Sequence, residues 1–421
     1  MKKSILFCLV SIIFILLFLS CDLDDKDTIT FWLMPNAPYN IHISWLLQKA
    51  DEFKEIKEIT VEFEIVGWGD AWPKISNAIA TGGGVDVFQM GSTWTPQFAA
   101  TGGLAQLNIN DFGGVDSFLK ANLESCNYKD KYYGVPWFAE TRVLFYNTQM
   151  FSSANAIPPT THDELIEAAI AIINEYGGGS AISIAGANAW DLLHNWAILL
   201  WQNGGSILNQ NNSYAVFNNS IGIDAWKWYI NLIENGYASH ECASYNQPQA
   251  DAAFISGSTA MCYMGPWNIA NIAYDNPDLQ YDVLEPPSGS FGKAAFAGGS
   301  NLVILKNSSK KEHAEEWIKY LLKKDNQVEY SRDLINMLPV KISALDDPSF
   351  STGKWQTFKE TINYATAYPQ KGLWGDIENA IVNALKNTLI DYKNGVYNEQ
   401  TVANYLGVAA SQVNYACSKE P

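Results

Sequence analysis

Residues 28–34 read TITFWLM, residues 60–66 read TVEFEIV and residues 85–90 read VDVFQM, with GWGDAWPKISNAIATGGG at 67–84 between the last two. The first run is β-branched and aromatic, and the second alternates apolar with polar residues, as half-buried strands do. Between them, Ser44 to Ile56 carries apolar residues at helical spacing. In the glycine-flanked stretch, Asp70 is placed to cap a helix whose apolar face includes Ile75 and Ile79, and three glycines end it. The order βαβαβ predicts an α/β fold with a parallel sheet flanked by helices, in which ligands gather beyond the carboxyl ends of the strands. Trp32 to Asn36, Trp68 to Trp72 and Gln89 to Trp94 lie just past those ends. Trp32, Asn36, Trp68, Trp72, Gln89, Ser92 and Trp94 are therefore candidates for one wall of a ligand cleft.

Upstream of the first strand the chain reads as an export signal. Met1-Lys2-Lys3 is a positive start, and Ile5 to Leu19 is an almost unbroken apolar run, too short to span a bilayer comfortably. It stops at Ser20-Cys21, and an acidic tether, DLDDKD, follows. Phe18-Leu19-Ser20-Cys21 resembles a lipobox, although Phe18 replaces the usual aliphatic residue. The expectation is a signal peptide over 1–20 and a lipidated tether over 21–27, with diacylated Cys21 holding the folded part to the outer side of the cell membrane. Two acyl chains, at about 0.8 kcal/mol per buried methylene, anchor a protein stably.

Length and composition bound the remainder. About 400 residues after such a signal exceed one ordinary core, so two domains are expected. The chain is 48% hydrophobic and 17% charged with no second long apolar run, which describes a folded body without a further membrane span. Its formal charge is −17, a balance that repels nucleic acid and anionic lipid. Beyond Cys8 and Cys21, the cysteines Cys126, Cys242, Cys262 and Cys417 show no CxxC spacing and no nearby histidine pattern. Neither a metal site nor any cofactor is expected. The spacing leaves open whether Cys242 and Cys262 form a disulfide or all four are buried thiols.

The unusual feature is the aromatic content, 13% of residues, including 15 tryptophans, for which a pocket that reads sugars is one setting. A buried indole must find a partner for its N–H, so cores rarely need so many. A pyranose has apolar C–H faces that stack on rings and a rim of hydroxyls that wants directional polar partners. For any single tryptophan, packing remains the simpler reading.

Four blocks further along resemble one family in order: VDVFQMGSTWTPQFAATGGLAQL from 85; YYGVPWFAETRVLFYNTQMF from 132 with PPTTHDEL from 158; FISGSTAMCYMGPWNIANI from 254; and FAGGSNLVILKNSSKKEHAEEWIKYLL from 296. They look like the extracellular solute-binding proteins of ABC importers, of the sugar-binding type similar to maltose-binding protein. The resemblance spans about Thr28 to the carboxyl terminus. It implies a periplasmic-binding-protein-like fold: two α/β lobes joined by a hinge, with ligand in the interlobe cleft. It also implies a monomer that hands a sugar or oligosaccharide to the transmembrane subunits of a permease, without catalysis. Chain crossings are expected at GVPWFAETR, at YDVLEPPSGSFG and near Leu338-Pro339-Val340. Lobe one would then hold 28–137 plus 288–339, and lobe two 138–287 plus 340–421.

Candidates in the second lobe follow. Trp190, His194 and Trp201 recur at helical spacing, which core packing also explains; Trp190 is the one carried forward. Gly265-Pro266-Trp267-Asn268 opens a helix after a strand and would bring the Trp267 indole to the cleft. The resemblance implies pocket aromatics at Tyr368 and Trp374, and a carboxylate for sugar hydroxyls at Glu140, which an ion pair with Arg142 would equally explain. Gly299 belongs to the FAGGSN turn. Three alternatives remain. A glycoside hydrolase needs two carboxylates flanking a bond, and Asp70, Asp86, Glu140 and Asp191 show no spacing that singles out a pair. A phosphate-ester binder, for a ligand such as glycerol phosphate, needs several cationic donors, and Arg142 and Arg332 are few. A surface lipoprotein for a macromolecule predicts an exposed apolar patch.

Overall fold

The computed structural model describes residues 27–187 and 189–420. The export signal, Cys21 and all of the tether but Asp27 lie outside the described residues. No described helix is long and apolar enough to cross a membrane.

The opening strands form as their patterns require. Strand β1 (Thr28–Leu33) buries Ile29, Phe31 and Leu33 completely. Strand β2 (Thr60–Ile65) pairs parallel to it, with Thr28 opposite Thr60 and Leu33 opposite Ile65. Strand β3 (Val87–Gly91) is buried on every residue and pairs parallel with β1 from the other side. The helix between β1 and β2 runs Tyr39–Lys57, starting five residues before the apolar pattern did. The helix Trp68–Thr81 starts after Gly67, so Asp70 sits inside its first turn rather than capping it. There it still complements the positive end of the helix dipole. Gly82, at φ 74°, closes that helix with its N–H bonded to the Ala78 carbonyl.

The remaining strands complete two principal sheets and form two small two-stranded ones. A small hairpin, β4 (Asn127–Tyr128) and β5 (Lys131–Tyr132), precedes β6 (Val135–Glu140). Then come β7 (Val143–Asn147), β8 (Ile182–Ser183), β9 (Met261–Met264) and β10 (Tyr281–Leu284). The last four are β11 (Ala295–Phe296), β12 (Gly298–Ile304), β13 (Leu338–Pro339) and β14 (Ala365–Thr366). The larger sheet has the order β13-β6-β12-β3-β1-β2 and the smaller one β10-β7-β9-β8. In the larger sheet β12 lies antiparallel between β3 and β6, so the purely parallel arrangement holds only for β1, β2 and β3.

The chain passes between the lobes where extended segments change sheets. Only Thr141 and Arg142 separate β6 of the large sheet from β7 of the small one. The return runs from β10 to β12 through β11, and β11 pairs in parallel with β14 on the third passage. Residues 288–291 rest on the smaller-sheet lobe, with Ser288 N donating to Thr160 O at 2.8 Å and Phe291 N to Gln202 O at 2.9 Å. After Pro339 the chain stays against the large-sheet lobe, as Leu119 N donates to Val340 O at 2.9 Å. The four cysteines 126, 242, 262 and 417 are buried free thiols.

Candidate functional site

Beyond the carboxyl ends of β2 and β3, the loops meet the beginning of the helix Ala189–Gln202 from the other lobe. A chamber of about 120 Å³ lies there. Trp68, Gly91, Ser92, Thr93 and Trp94 line it from one side, Trp190, His194 and Glu378 from the other, and Glu140, Phe296, Gly298 and Gly299 from the strands that pass between the lobes.

Aromatic edges build the walls. Trp94 is the pivot, with Trp72 at 5.3 Å and 89° and Trp68 at 6.0 Å and 74°, both edge-on. Across the lobes it faces Trp190 at 6.5 Å. Trp94 is buried, yet Trp68, Trp72 and Trp190 keep 37%, 38% and 47% of their surface exposed. Indoles left this wet, at one mouth, are apolar surface available to a ligand. A second aromatic group forms the floor. His194 stacks on Phe296 at 4.0 Å and donates to or accepts from the Tyr368 hydroxyl at 2.6 Å, and Tyr368 stacks on Trp374 at 4.7 Å.

The polar part is an ion cluster. Arg142 Nε meets Glu140 Oε2 at 3.2 Å and its Nη2 meets Asp191 Oδ1 at 3.1 Å. The guanidinium lies 4.7 Å from the centre of the Trp267 ring. Burial pushes the Glu140 carboxyl up despite Arg142, and the same desolvation, helped by Arg142, holds His194 well below its usual range and therefore neutral. Glu378 is 6% exposed, burial pushes its pKa up to about 7, and its Oε1 has no hydrogen-bond partner among the described residues. Farther back, Asp251 accepts from Gln247 at 2.7 Å and from Asn268 at 2.9 Å, and burial raises its pKa to about 6.

Two glycines permit the close packing at the crossing. A Cβ on Gly299, at φ +133°, would stand 2.1 Å from the Phe138 carbonyl, and one on Gly298 would stand 2.3 Å from Glu140 Oε1. Gly298 donates nothing to the walls but space, which lets the Glu140 carboxyl lie against the strand.

The sequence candidates separate into three groups. Trp68, Ser92, Trp94, Glu140, Trp190 and Gly299 line the chamber. Trp72, partly exposed, packs edge-on against Trp94 beside that lining, while Tyr368 and Trp374 back His194 and Trp267 lies against Arg142. Trp32, Asn36 and Gln89 lie outside it. The Trp32 ring packs under Lys74 Nζ at 4.4 Å. Gln89 Oε1 accepts from Met34 N at 3.0 Å and from Asn36 Nδ2 at 3.1 Å, which ties the loop after β1 to β3. Phe296 and Glu378 were not singled out from the sequence. Glu378 left a signal there: it falls between Trp374, Ile377 and Ile381 on the buried face of the helix Trp374–Lys393, where a carboxylate needs a reason.

A larger groove of about 890 Å³ lies beyond the chamber, between the β4–β5 hairpin and residues 206–216. A gap of about 10 Å³ separates the two; Ser92, Thr93 and Phe296 border it on the chamber side, Tyr368 and Gln370 on the groove side. The chamber is the stronger candidate despite its size, because the exposed indoles and the buried charges converge only there. Among the described residues no group of three His, Cys, Asp or Glu side chains is arranged to hold a metal.

The arrangement has counterparts. Residues 48–359 match the model of the bacterial extracellular solute-binding proteins. The diacetylchitobiose-binding protein DasA of Streptomyces coelicolor is 28% identical over 307 residues, covering 70% of this chain and 69% of its own. The maltotriose-binding protein of Pyrococcus abyssi is 24% identical, covering 74% and 68%. An ABC-transporter solute-binding protein of Thermotoga lettingae, solved with α-D-tagatose, superposes with a TM-score of 0.79 at 25% identity over 93% of this chain and 100% of that one. The sugar-binding protein MalE of Xanthomonas citri superposes at 0.80 with 23% identity, covering 93% and 98%, which shows the shared fold. With three quarters of its length under one family model and a two-lobed α/β architecture throughout, this chain belongs to the bacterial extracellular solute-binding proteins.

Proposed function

We propose that the protein is the substrate-binding component of an ABC sugar importer, capturing a sugar or short oligosaccharide in the chamber between its lobes and delivering it to the permease. The observation that carries this reading is the set of half-exposed indoles Trp68, Trp72 and Trp190 grouped on Trp94 beside the Glu140–Arg142–Asp191 cluster. Ring faces meet the C–H faces of a pyranose, and the carboxylates and the neutral His194 meet its hydroxyls. A phosphate ester fits less well, because the guanidinium beside Glu140, that of Arg142, already serves two carboxylates. The relatives' sugars and the family's extracytoplasmic role support the same assignment.

The finer parts of the reading rest on the sequence. The export signal and Cys21 give a lipoprotein held at the cell membrane; the first lobe crossing, read from the sequence at 137/138, lies at Thr141 and Arg142, between β6 and β7. The protein acts as a monomer and binds without hydrolysing. A thermal-shift screen of saccharides, amino acids and phosphate esters tests the ligand class. Ligand at 100 times its Kd adds about 2.7 kcal/mol of stability. Stabilisation by saccharides is expected; stabilisation by the other classes alone would overturn the assignment. Product released from the tightest saccharide on long incubation, and lost in Glu140→Gln, would overturn the absence of catalysis.

A further inference from the structure

The chamber holds an excess of acid over base. Glu140 and Glu378 line it, Asp191 borders it, and the one guanidinium among them, Arg142, is bonded to Glu140 and Asp191. That leaves Glu378 without a counter-charge, and its Oε1 lacks any hydrogen-bond partner among the described residues although the side chain is almost wholly buried. The helix Trp374–Lys393 carries it to the chamber, and among the described residues no lysine or arginine lines that space. The other titratable groups around it, His194 and Tyr368, are both held in their neutral forms by burial. A buried carboxyl oxygen left unpaired is costly, and such groups in proteins are matched by a donor or by a ligand. The walls point the same way. Trp68, Trp94, Trp190 and Phe296 line the chamber, and the negative faces of aromatic rings attract cations.

We propose that Glu378 is a specificity-determining residue that receives a positively charged amine, so that the preferred ligand is an amino sugar with at least one free amino group rather than a neutral or acidic saccharide. This rests on the sugar-binding assignment and narrows it. The ammonium group bonds to the Glu378 carboxylate while the ring faces of the chamber enclose the rest of the residue. Because burial keeps the empty-site carboxyl protonated up to about pH 7, arrival of an ammonium drives a proton off Glu378.

The test is titration calorimetry on the whole protein at pH 6.5 with three matched β-1,4-linked dimers: of glucosamine, of N-acetylglucosamine and of glucose. Each is run in two buffers of different ionisation enthalpy. The glucosamine dimer is expected to bind at least 10-fold more tightly than the glucose dimer and to release a proton. Glu378→Gln, nearly isosteric and checked by its melting curve, is expected to abolish the proton release and to remove the 10-fold preference. Equal affinity for the glucosamine and glucose dimers, tighter binding of the N-acetylated dimer, or a preference that survives Glu378→Gln would each overturn the inference and leave sugar binding intact. Failure of every saccharide in the preceding screen would instead overturn the sugar-binding assignment itself.

Discussion

Replacing Trp190 with alanine removes a ring that the fold hardly uses. It keeps 47% of its surface exposed, at the start of the helix Ala189–Gln202, and its described ring contact is with Trp94 across the lobes at 6.5 Å. An indole presents roughly 200 Å² to its surroundings, so about 100 Å² is left for a ligand to cover. A sugar that covers half to all of that area gains about 1.2–2.5 kcal/mol at 25 cal/mol per Å². The expected loss in Trp190→Ala is therefore roughly 8- to 70-fold in Kd. Exposed substitutions of this kind shift folding stability by about 0.5 kcal/mol or less. Calorimetry with the saccharide that stabilises the protein most, paired with a thermal melt of the same preparation, separates the two effects. An unchanged Kd in a folded variant would refute the stacking argument, and a melting temperature lowered by many degrees would show that the ring belongs to the core.

Three further expectations follow from the same geometry. Trp267→Ala removes the ring beneath Arg142 and should weaken saccharide binding by the roughly 0.5–2 kcal/mol of a cation–π contact, or about 2- to 30-fold, as measured by calorimetry; no change in affinity would show that the guanidinium holds its place without it. Gly299→Ala places a Cβ 2.1 Å from a backbone carbonyl at φ +133° and should cost at least about 2 kcal/mol in denaturant unfolding, whereas a neutral result would mean that β12 can shift away from β6. For Glu378 the folded-state pKa of about 7 exceeds the value near 4.5 of an open carboxyl. Between those pH values the folded state binds the extra proton, so its contribution to stability is full below the lower value and is lost as pH rises through the upper one. Ligand-free wild type should therefore lose up to about 3 kcal/mol relative to Glu378→Gln between pH 4.5 and 7.5, and parallel pH profiles for the two proteins would contradict the raised pKa.

The βαβαβ opening was legible because each element there is local. Strict alternation at Thr60–Ile65 and the apolar run at Val87–Gly91 fix strand character within a few residues. The insertion of β12 between β3 and β6 was not legible, since pairing across about 160 to 215 residues leaves no local trace. Asp70 shows the limit of capping rules: the helix gained three residues and Gly67 took the boundary. The site was half legible for a similar reason. The sequence locates strand ends, which put Trp68, Ser92 and Trp94 among the candidates, while Glu140 came from the resemblance; a loop's turn decides which side chains face the chamber. Gln89 and Asn36 turn toward each other and toward the backbone of Met34 instead. Trp374 followed from resemblance, yet it is 1% exposed and acts through Tyr368. Glu378 stood in the pattern as a charge on a buried helix face, and its meaning required the cavity around it.

A crystal structure of the protein with the tightest saccharide from the screen tests the central claim most directly. The account predicts a sugar ring in the chamber, one face against Trp190 or Trp94, with hydroxyl or amino groups within about 3 Å of Glu140, His194 or Glu378. A saccharide seated in the larger groove between the β4–β5 hairpin and residues 206–216, with the tryptophan chamber empty, would contradict it.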